Sequence, residues 1–522
     1  MSASAWSSEL ESARRLAARG CFDEVLTLCK KIVQAHAGST DALLDAGVLL
    51  LDCGLLSPAR ECFDMARRLA PGDPRPLANL AHACSQEADH AAARALYERL
   101  LQNFPDHPVI RRNYLTSLEY DPAASNAERY AAAVDWGRWA ERRAGGPHPR
   151  PALRPLGDRP LRVGWVSADF CQHTAGLFAK DVLAALDPDR VESVAYSTGR
   201  VSDWVTKAFR KAMAFRDVAA LGDQELASRI RNDDIDVLVD LSGHTAGSRL
   251  AVFAHRPAPV QVSWLGYFAT TGLSCVDAVL LDEWHAPPEA EAFFTERIIR
   301  LPRGRLCYVP VPFAPEVSPP PHRCNGFITF GSFNNTGKLS ASVLALWSRV
   351  LGASPDSRLV LKWRTFNDAG MRSMILDTFA AHGIDPGRIE PRGPSFHVDM
   401  LREYGDIDIA LDSFPFTGGL TSCEALWMGL PVVTWPQDRV VSRQTHAMLS
   451  AVGLPELAAG NADEYVRLAV SLAEDRGRLT GLRQGMRGRM RGSALMDVET
   501  FARSLEDELF SLHRRTEDEA VR

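Results

Sequence analysis

Ten cysteines are scattered along the chain without a CxxC pair or a Cys/His cluster at zinc spacing. A disulfide framework and a structural metal are therefore not expected, and free thiols in a reducing compartment are. No apolar run approaches the roughly 18 residues that span a bilayer, and Met1 to Gly20 is charged and helical in pattern rather than a signal peptide. The expectation is a cytoplasmic chain with no membrane partner. Neither sign of charge is in excess: 59 Lys and Arg against 65 Asp and Glu give −6, which supplies no global reason to expect nucleic acid as a partner. At 522 residues, 46% hydrophobic and 24% charged, the chain can bury more than one core, and its length suggests about three domains.

What is present changes character near residue 150. Before it, a 34-residue register places Gly47, Ala59, Phe63, Ala66 and Pro71 opposite Ala81, Ala93, Tyr97, Leu100 and Pro105. Small residues stand where two helices approach, an aromatic fills the gap, and proline marks the exit, which is the tetratricopeptide pattern. A looser unit at residues 6–39, with Ala13 and Leu16 in register, fits an atypical end repeat, and Asn126 to Arg143 reads as a capping helix. An ordinary helical bundle is the alternative. Stacked pairs create an extended concave surface suited to a protein partner.

Residues 144–159, rich in Pro, Gly and Arg, read as a linker. Short apolar runs then alternate with helical sequence at 161–170, 194–197, 235–241, 260–264 and 278–281. A stretch with six prolines, Val309 to Asn325, precedes a second series at 327–333, 359–363, 407–411 and 432–435. This alternation predicts two parallel α/β sheets in tandem with ligands at the carboxyl ends of strands, facing each other across a cleft. The resulting division is a repeat region 1–145, a first lobe 160–308 and a second lobe 326–515.

The second lobe carries the sharper signals. Asn334-Asn335-Thr336-Gly337-Lys338 is a polar turn ahead of a helix expected at Ser340; a lysine and helix-start amides there can neutralise a diphosphate, although a turn lysine is more often a solvated charge. Asp412 ends a strand, and the turn Ser413 to Ser422 leads into a helix. Gly418 and Gly419 allow close backbone approach, Thr421 and Ser422 offer hydroxyls and amides, and Glu424 could reach ribose hydroxyls or simply serve the helix dipole. Asp234-Ile-Asp236 and Asp406-Ile-Asp408 match the DxD of metal-dependent glycosyltransferases, but each leads into an apolar strand and a structural role is expected.

Phe330 to Lys338, Leu411 to Pro431 and Arg256-Pro-Ala-Pro-Val-Gln-Val-Ser-Trp-Leu-Gly-Tyr267 resemble the signature segments of the O-linked N-acetylglucosamine transferase family, glycosyltransferase family 41. The resemblance covers nearly the whole chain. It implies a tetratricopeptide solenoid followed by a GT-B fold of two Rossmann-like lobes, and without the large insert of animal members the form is similar to the bacterial branch. It further implies inverting, metal-free transfer of a sugar from a nucleotide sugar, with no cofactor, to Ser or Thr of a protein. On that resemblance Lys338 binds the donor diphosphate, Asn335 lines the pocket, Thr421 contacts phosphate and Glu424 the ribose. His173, just past the first strand, corresponds to the histidine proposed as base or acceptor-positioning group, a role its position also suits. Further candidates are Ser442 and Arg443 near the donor, and His244, Tyr267, Thr270 and Thr271 on the sugar side, with loop structure as the alternative for each.

Three positions depart from the family pattern. Met400 stands where a base-packing histidine is usual, with His397 nearby but out of register; Leu420 replaces a phosphate-binding threonine, and Phe416 a tyrosine or smaller residue. Three functions therefore compete: a UDP-N-acetylglucosamine transferase, a flagellin-type transferase using a CMP-nonulosonic acid, and a non-catalytic adaptor.

Overall fold

The computed structural model describes residues 6–521. The repeat region begins with helices α1 (Ser7–Ala18), α2 (Phe22–Ala35), α3 (Thr40–Asp52), α4 (Leu56–Leu69), α5 (Pro74–Gln86), α6 (His90–Asn103) and α7 (Pro108–Tyr120). The period is written into the caps. Ser39, Asp73 and His107 each accept a hydrogen bond from an amide of the helix they open, and Pro74 and Pro108 occupy the first turn, where a missing N–H costs nothing. The small residues are sterically required: a Cβ on Gly47 would lie 2.5 Å from the Phe63 ring. Ala59, Phe63 and Ala66, with their counterparts Ala93, Tyr97 and Leu100, are buried, so the register read from sequence is the one that packs.

Helix α8 (Asn126–Arg143) has the expected bounds and a full capping box from Ser125 and Glu128. It packs, however, on the lobe that follows. A Cβ on Gly137 would meet the Gly272 carbonyl oxygen at 1.8 Å, and Trp136 sits edge-on to His244.

A seven-stranded parallel sheet comprises β1 (Leu161–Ser167), β2 (Val191–Ser197), β3 (Ala214–Asp217), β4 (Val237–Asp240), β5 (Val260–Trp264), β6 (Ala278–Leu281) and β7 (Arg297–Arg300), in the order β3-β2-β1-β4-β5-β6-β7. A five-stranded parallel sheet follows: β8 (Thr329–Ser332), β9 (Arg358–Lys362), β10 (Ile389–Arg392), β11 (Ile409–Leu411) and β12 (Val432–Val433), in the order β10-β9-β8-β11-β12. In both, strand order reverses beside the first strand, which opens a crevice at the carboxyl ends of β1 and β4 and of β8 and β11.

The described chain divides into two compact units. One holds the repeats up to Pro122, Pro312–Trp435 and Glu456–Met486; the other holds Ala123–Val311, Pro436–Pro455 and the residues from Arg487 onward. The carboxyl-terminal helix Val498–Val521, assigned from sequence to the second lobe, thus belongs with the seven-stranded sheet. Its Glu506 accepts from the Asp187 amide at 2.7 Å and pairs with Arg190 at 2.6 Å, so an apolar helix face and an ion pair outweigh sequence proximity.

Candidate functional site

In the five-stranded unit, the loops leaving β8 and β11 meet at the strand-order reversal. After β8, residues Thr336–Lys338 form one 3-10 turn opened by Asn335, whose side chain accepts from the Gly337 amide at 2.9 Å; Ser340 then caps helix Ala341–Ala353. The turn is braced from the repeats. Thr336 Oγ1 donates to the Gln86 carbonyl at the end of α5 at 2.7 Å, and Gly337 lies so close to Ser85 that a Cβ would stand 2.7 Å from its carbonyl oxygen.

Lys338 projects from this turn toward the second loop. Its Nζ donates to Asn334 Oδ1 at 3.1 Å and to the Thr417 carbonyl at 2.9 Å, and it lies 4.5 Å from the centroid of the Phe416 ring. Burial lowers the Lys338 ammonium to about 8, against the opposing pull of Asp412. Asp412 shapes the loop that receives it. One carboxylate oxygen accepts from the amides of Ser413 at 3.0 Å and Gly418 at 2.7 Å, and the other from Thr434 at 2.8 Å, closing residues 413–418 into a ring.

The loop delivers the chain to helix Leu420–Trp427, which carries no side-chain cap at Gly419. Its first turn therefore presents a positive dipole end to the lysine loop. Thr421 Oγ1 reaches Asn334 Oδ1 at 3.4 Å, so Asn334 gathers both the lysine and the threonine. A Cβ on Gly418 would stand 2.1 Å from Ser422 Oγ, so a side chain there would have to displace that hydroxyl. The arrangement sets an ammonium, a hydroxyl and a helix amino end around one point, which suits a diphosphate.

Glu424 lies one turn deeper, 2% exposed, with Oε1 2.6 Å from His397 Nε2. Burial raises its carboxyl, and His397 opposes the rise. Phe313 meets the His397 ring edge-on at 5.4 Å. His397, out of register in the sequence, is thus the histidine that enters the site, while Met400 is half-buried on the same short helix. Phe416, a departure from the family pattern, stacks on Tyr120 of α7 at 4.3 Å. Asn334, His397 and Tyr120 were not picked out as site residues; only Asn334, beside Asn335, had a local signal.

In the seven-stranded unit, His173 caps helix Thr174–Ala184, its Nδ1 accepting from the Ala175 amide at 3.4 Å. Its side chain is half exposed, and Asp169 lies 3.6 Å away, an ion pair when the imidazole is charged. Burial raises the Asp169 carboxyl, against a lowering influence from His173. The sugar-side candidates are drawn together, but into the interior. His244 Nε2 donates to the Thr271 carbonyl at 3.0 Å, and its ring packs on Trp136 and Tyr267. Thr270 and Thr271 both donate to the buried Glu296. Ser442 donates to the Arg439 carbonyl at 2.6 Å and accepts from Gln437, while Arg443 donates to the carbonyls of Trp284 and Gln437. Each of these six side chains has hydrogen-bond or ring partners within its own unit.

The aspartate pairs have partners of their own. Asp236 is held by Arg154 and Arg159 and by the Arg162 amide, and Asp408 by His322 and the Thr329 amide. Among the described residues no helix is long and apolar enough to cross a membrane.

Comparison with known proteins gives the site its context. The model of glycosyl transferase family 41 matches residues 148–307 and 322–505. A protein of Oryza sativa subsp. japonica described as a probable UDP-N-acetylglucosamine–peptide N-acetylglucosaminyltransferase, SPINDLY, is 38% identical over 430 residues, 80% of this chain and 46% of that protein. The UDP-N-acetylglucosamine–peptide N-acetylglucosaminyltransferase of Caenorhabditis elegans is 24% identical over 475 residues, 68% of this chain and 41% of that one. The chain spans about half the length of the curated relatives it matches. Among solved structures, a mutant of the O-GlcNAc transferase of Thermobaculum terrenum superposes with a TM-score of 0.90 at 32% identity, covering 98% of both chains. The fold is a tetratricopeptide solenoid followed by two Rossmann-like lobes of GT-B type.

Proposed function

The chain belongs to glycosyl transferase family 41, and from that membership we propose that it is a protein O-glycosyltransferase, moving a sugar from a nucleotide diphosphate donor, N-acetylglucosamine from UDP-N-acetylglucosamine foremost, to Ser or Thr of a protein. One observation carries the reading. Lys338 is bound to Asn334 and Thr417 beside the amino end of helix Leu420–Trp427, where positive charge would stabilise a departing diphosphate. Such preorganised charge contributes about 3–4 kcal/mol to a transition state. The acceptor hydroxyl would attack the anomeric carbon with inversion in a single displacement. His173, half exposed and flanked by Asp169, is the group proposed to take its proton.

A metal-independent reaction is part of the proposal, because lysine and helix amides supply the charge a divalent ion would otherwise bring, and the DxD aspartates are engaged elsewhere. The repeats are proposed to recruit the protein acceptor through their concave face. A cytoplasmic setting and a place in the bacterial branch complete the reading, the former supported by ten cysteines that are all free thiols.

Calorimetric titration with UDP, CMP and GDP in EDTA, on wild type and Lys338→Ala, tests this. UDP binding weakened by the substitution is the expected result. A preference for CMP would move the donor to a nonulosonic acid, and absence of nucleotide binding would leave an adaptor.

A further inference from the structure

A second cavity lies within the seven-stranded unit, built from the segment after β6, the turn after β7, helix Gln444–Ala451 and the turn at Ala494. It encloses about 110 Å³ and is lined by Asp282, Trp284, His285, Arg303 and Ser450, among others. Its floor is a buried dyad. Asp282 accepts from the His285 amide at 2.7 Å, from His285 Nδ1 at 2.8 Å and from the Arg305 amide at 2.7 Å. Burial works against the Asp282 carboxylate, but the His285 imidazole and these amides outweigh it and hold it at about 2. The carboxylate is therefore saturated, and the His285 ring is fixed with Nδ1 inward.

Four polar atoms on the residues lining this cavity are left over, Arg305 Nε among them. His285 Nε2, on a residue 1% exposed, Ser450 Oγ and Arg303 Nε are all buried and find no hydrogen-bond partner among the described residues. Buried polar groups without partners are costly and few in native proteins, so four on the residues around one space call for a ligand. Their chemistry selects its sign. Arg303 Nε can only donate, Ser450 donates readily, and His285 with its Nδ1 on a carboxylate donates from Nε2 when protonated. Arg443, which donates to the Trp284 carbonyl, adds positive charge nearby, whereas Asp282 is saturated and Asp497 engages the terminal nitrogen of Arg303 at 2.5 Å. A cation would meet a guanidinium and no available carboxylate. The volume is also well below the roughly 300–1,000 Å³ of sites for drug-sized ligands.

We propose that this cavity is a binding site for a small oxyanion, of the size of inorganic phosphate or a short carboxylate, held by His285 Nε2, Arg303 Nε and Ser450 Oγ. None of its lining residues belongs to the Lys338 loop, and the proposed occupant is not the donor. An oxyanion satisfies the Arg303 and Ser450 donors at once, and His285 Nε2 when the imidazole is protonated, each worth more against a charged acceptor than against water.

Titration of the full chain with inorganic phosphate and, separately, acetate at constant ionic strength tests the proposal, read by calorimetry and by the fluorescence of Trp284 on the rim. Saturable binding is expected. It should persist in Lys338→Ala and weaken at least about tenfold in Arg303→Met, Ser450→Ala and His285→Gln. Arg303→Met and Ser450→Ala leave the Asp282–His285 dyad intact, so a folding failure of His285→Gln does not remove the test. The rank of phosphate against acetate distinguishes the two sources. Binding abolished by Lys338→Ala but indifferent to Arg303→Met would reassign the anion to the diphosphate site, and no saturable binding by either ion would leave the cavity to water; either result overturns the proposal.

Discussion

The Phe416 ring stacks on Tyr120, centroids 4.3 Å apart and planes 29° from parallel, and the Lys338 ammonium lies 4.5 Å from the same Phe416 centroid. A residue of the repeats thereby backs the ring on which the Lys338 ammonium rests. A cation over an aromatic face gains about 0.5–2 kcal/mol, more when water is excluded. Phe416→Leu should weaken UDP binding by a few fold to about tenfold, and Tyr120→Ala by less. Tyr120→Phe keeps the stack and should match wild type. Calorimetry with the three variants measures this, and equal affinities for Phe416→Leu and wild type would contradict it.

Lys338 also predicts a pH dependence. Burial brings its ammonium from 10.5 down to about 8, so charge is present below that value and lost above it. UDP affinity is expected to fall as pH rises through this range, and the fall should vanish in Lys338→Ala. Stability runs the other way: between about 8 and 10.5 the unfolded chain holds this proton and the folded chain does not, so the lysine's unfavourable contribution is full below the folded value and relieved as pH rises. Affinity and thermal unfolding measured across one pH series read both trends.

The loop at Gly418 has a steric test. Gly418→Ala places a Cβ 2.1 Å from Ser422 Oγ, an overpacking expected to cost about 1–3 kcal/mol. Ser422→Ala in the same chain removes the nearest atom and should recover part of the loss in denaturant unfolding. A double variant no more stable than Gly418→Ala would place the strain elsewhere.

The buried pair of His397 and Glu424 predicts an asymmetric result. His397→Ala leaves a 2% exposed carboxylate without its partner, a loss of about 3–5 kcal/mol at neutral pH. The penalty should shrink as pH falls and Glu424 protonates, because its carboxyl is already raised by burial. Glu424→Gln added to His397→Ala should restore most of the stability at neutral pH.

Much of the fold was legible because periodicity and burial coincide. Gly47 opposite Ala81 and Phe63 opposite Tyr97 mark helix contacts that the structure buries, and the central strands Val260–Trp264 and Ala278–Leu281 appear with the bounds their apolar runs gave. The strands that went unread are β3, β7 and β10. Ala214–Asp217 is half exposed at an edge, Arg297–Arg300 is an edge strand flanked by arginines, and Ile389–Arg392 carries Pro391, which an edge tolerates and a central strand does not. The meeting of the Lys338 turn with the Gly418–Gly419 loop was legible through the lysine and the glycine pair. The partners of His244, Thr270, Thr271 and Ser442 were not, because the Thr271 carbonyl, Glu296 and the Arg439 carbonyl that they bond are not marked by any local pattern. His397 shows the converse, since a helical turn can bring an out-of-register side chain onto Glu424.

The bond from Thr336 to the Gln86 carbonyl limits how the array can vary in length. Helix pairs could be gained or lost ahead of Thr40 without disturbing any contact of the lysine turn. The pair ending at Asn103 and the helix after it cannot be exchanged so freely, because the α5 terminus and Tyr120 are built into the loops around Lys338. Ser57 also bonds Asp368 and the Cys53 carbonyl accepts from Asn367, so a graft of this lobe onto a foreign repeat array should carry Thr40 to Pro122 with it, and natural diversity in reach should accumulate at the amino-terminal end of the stack.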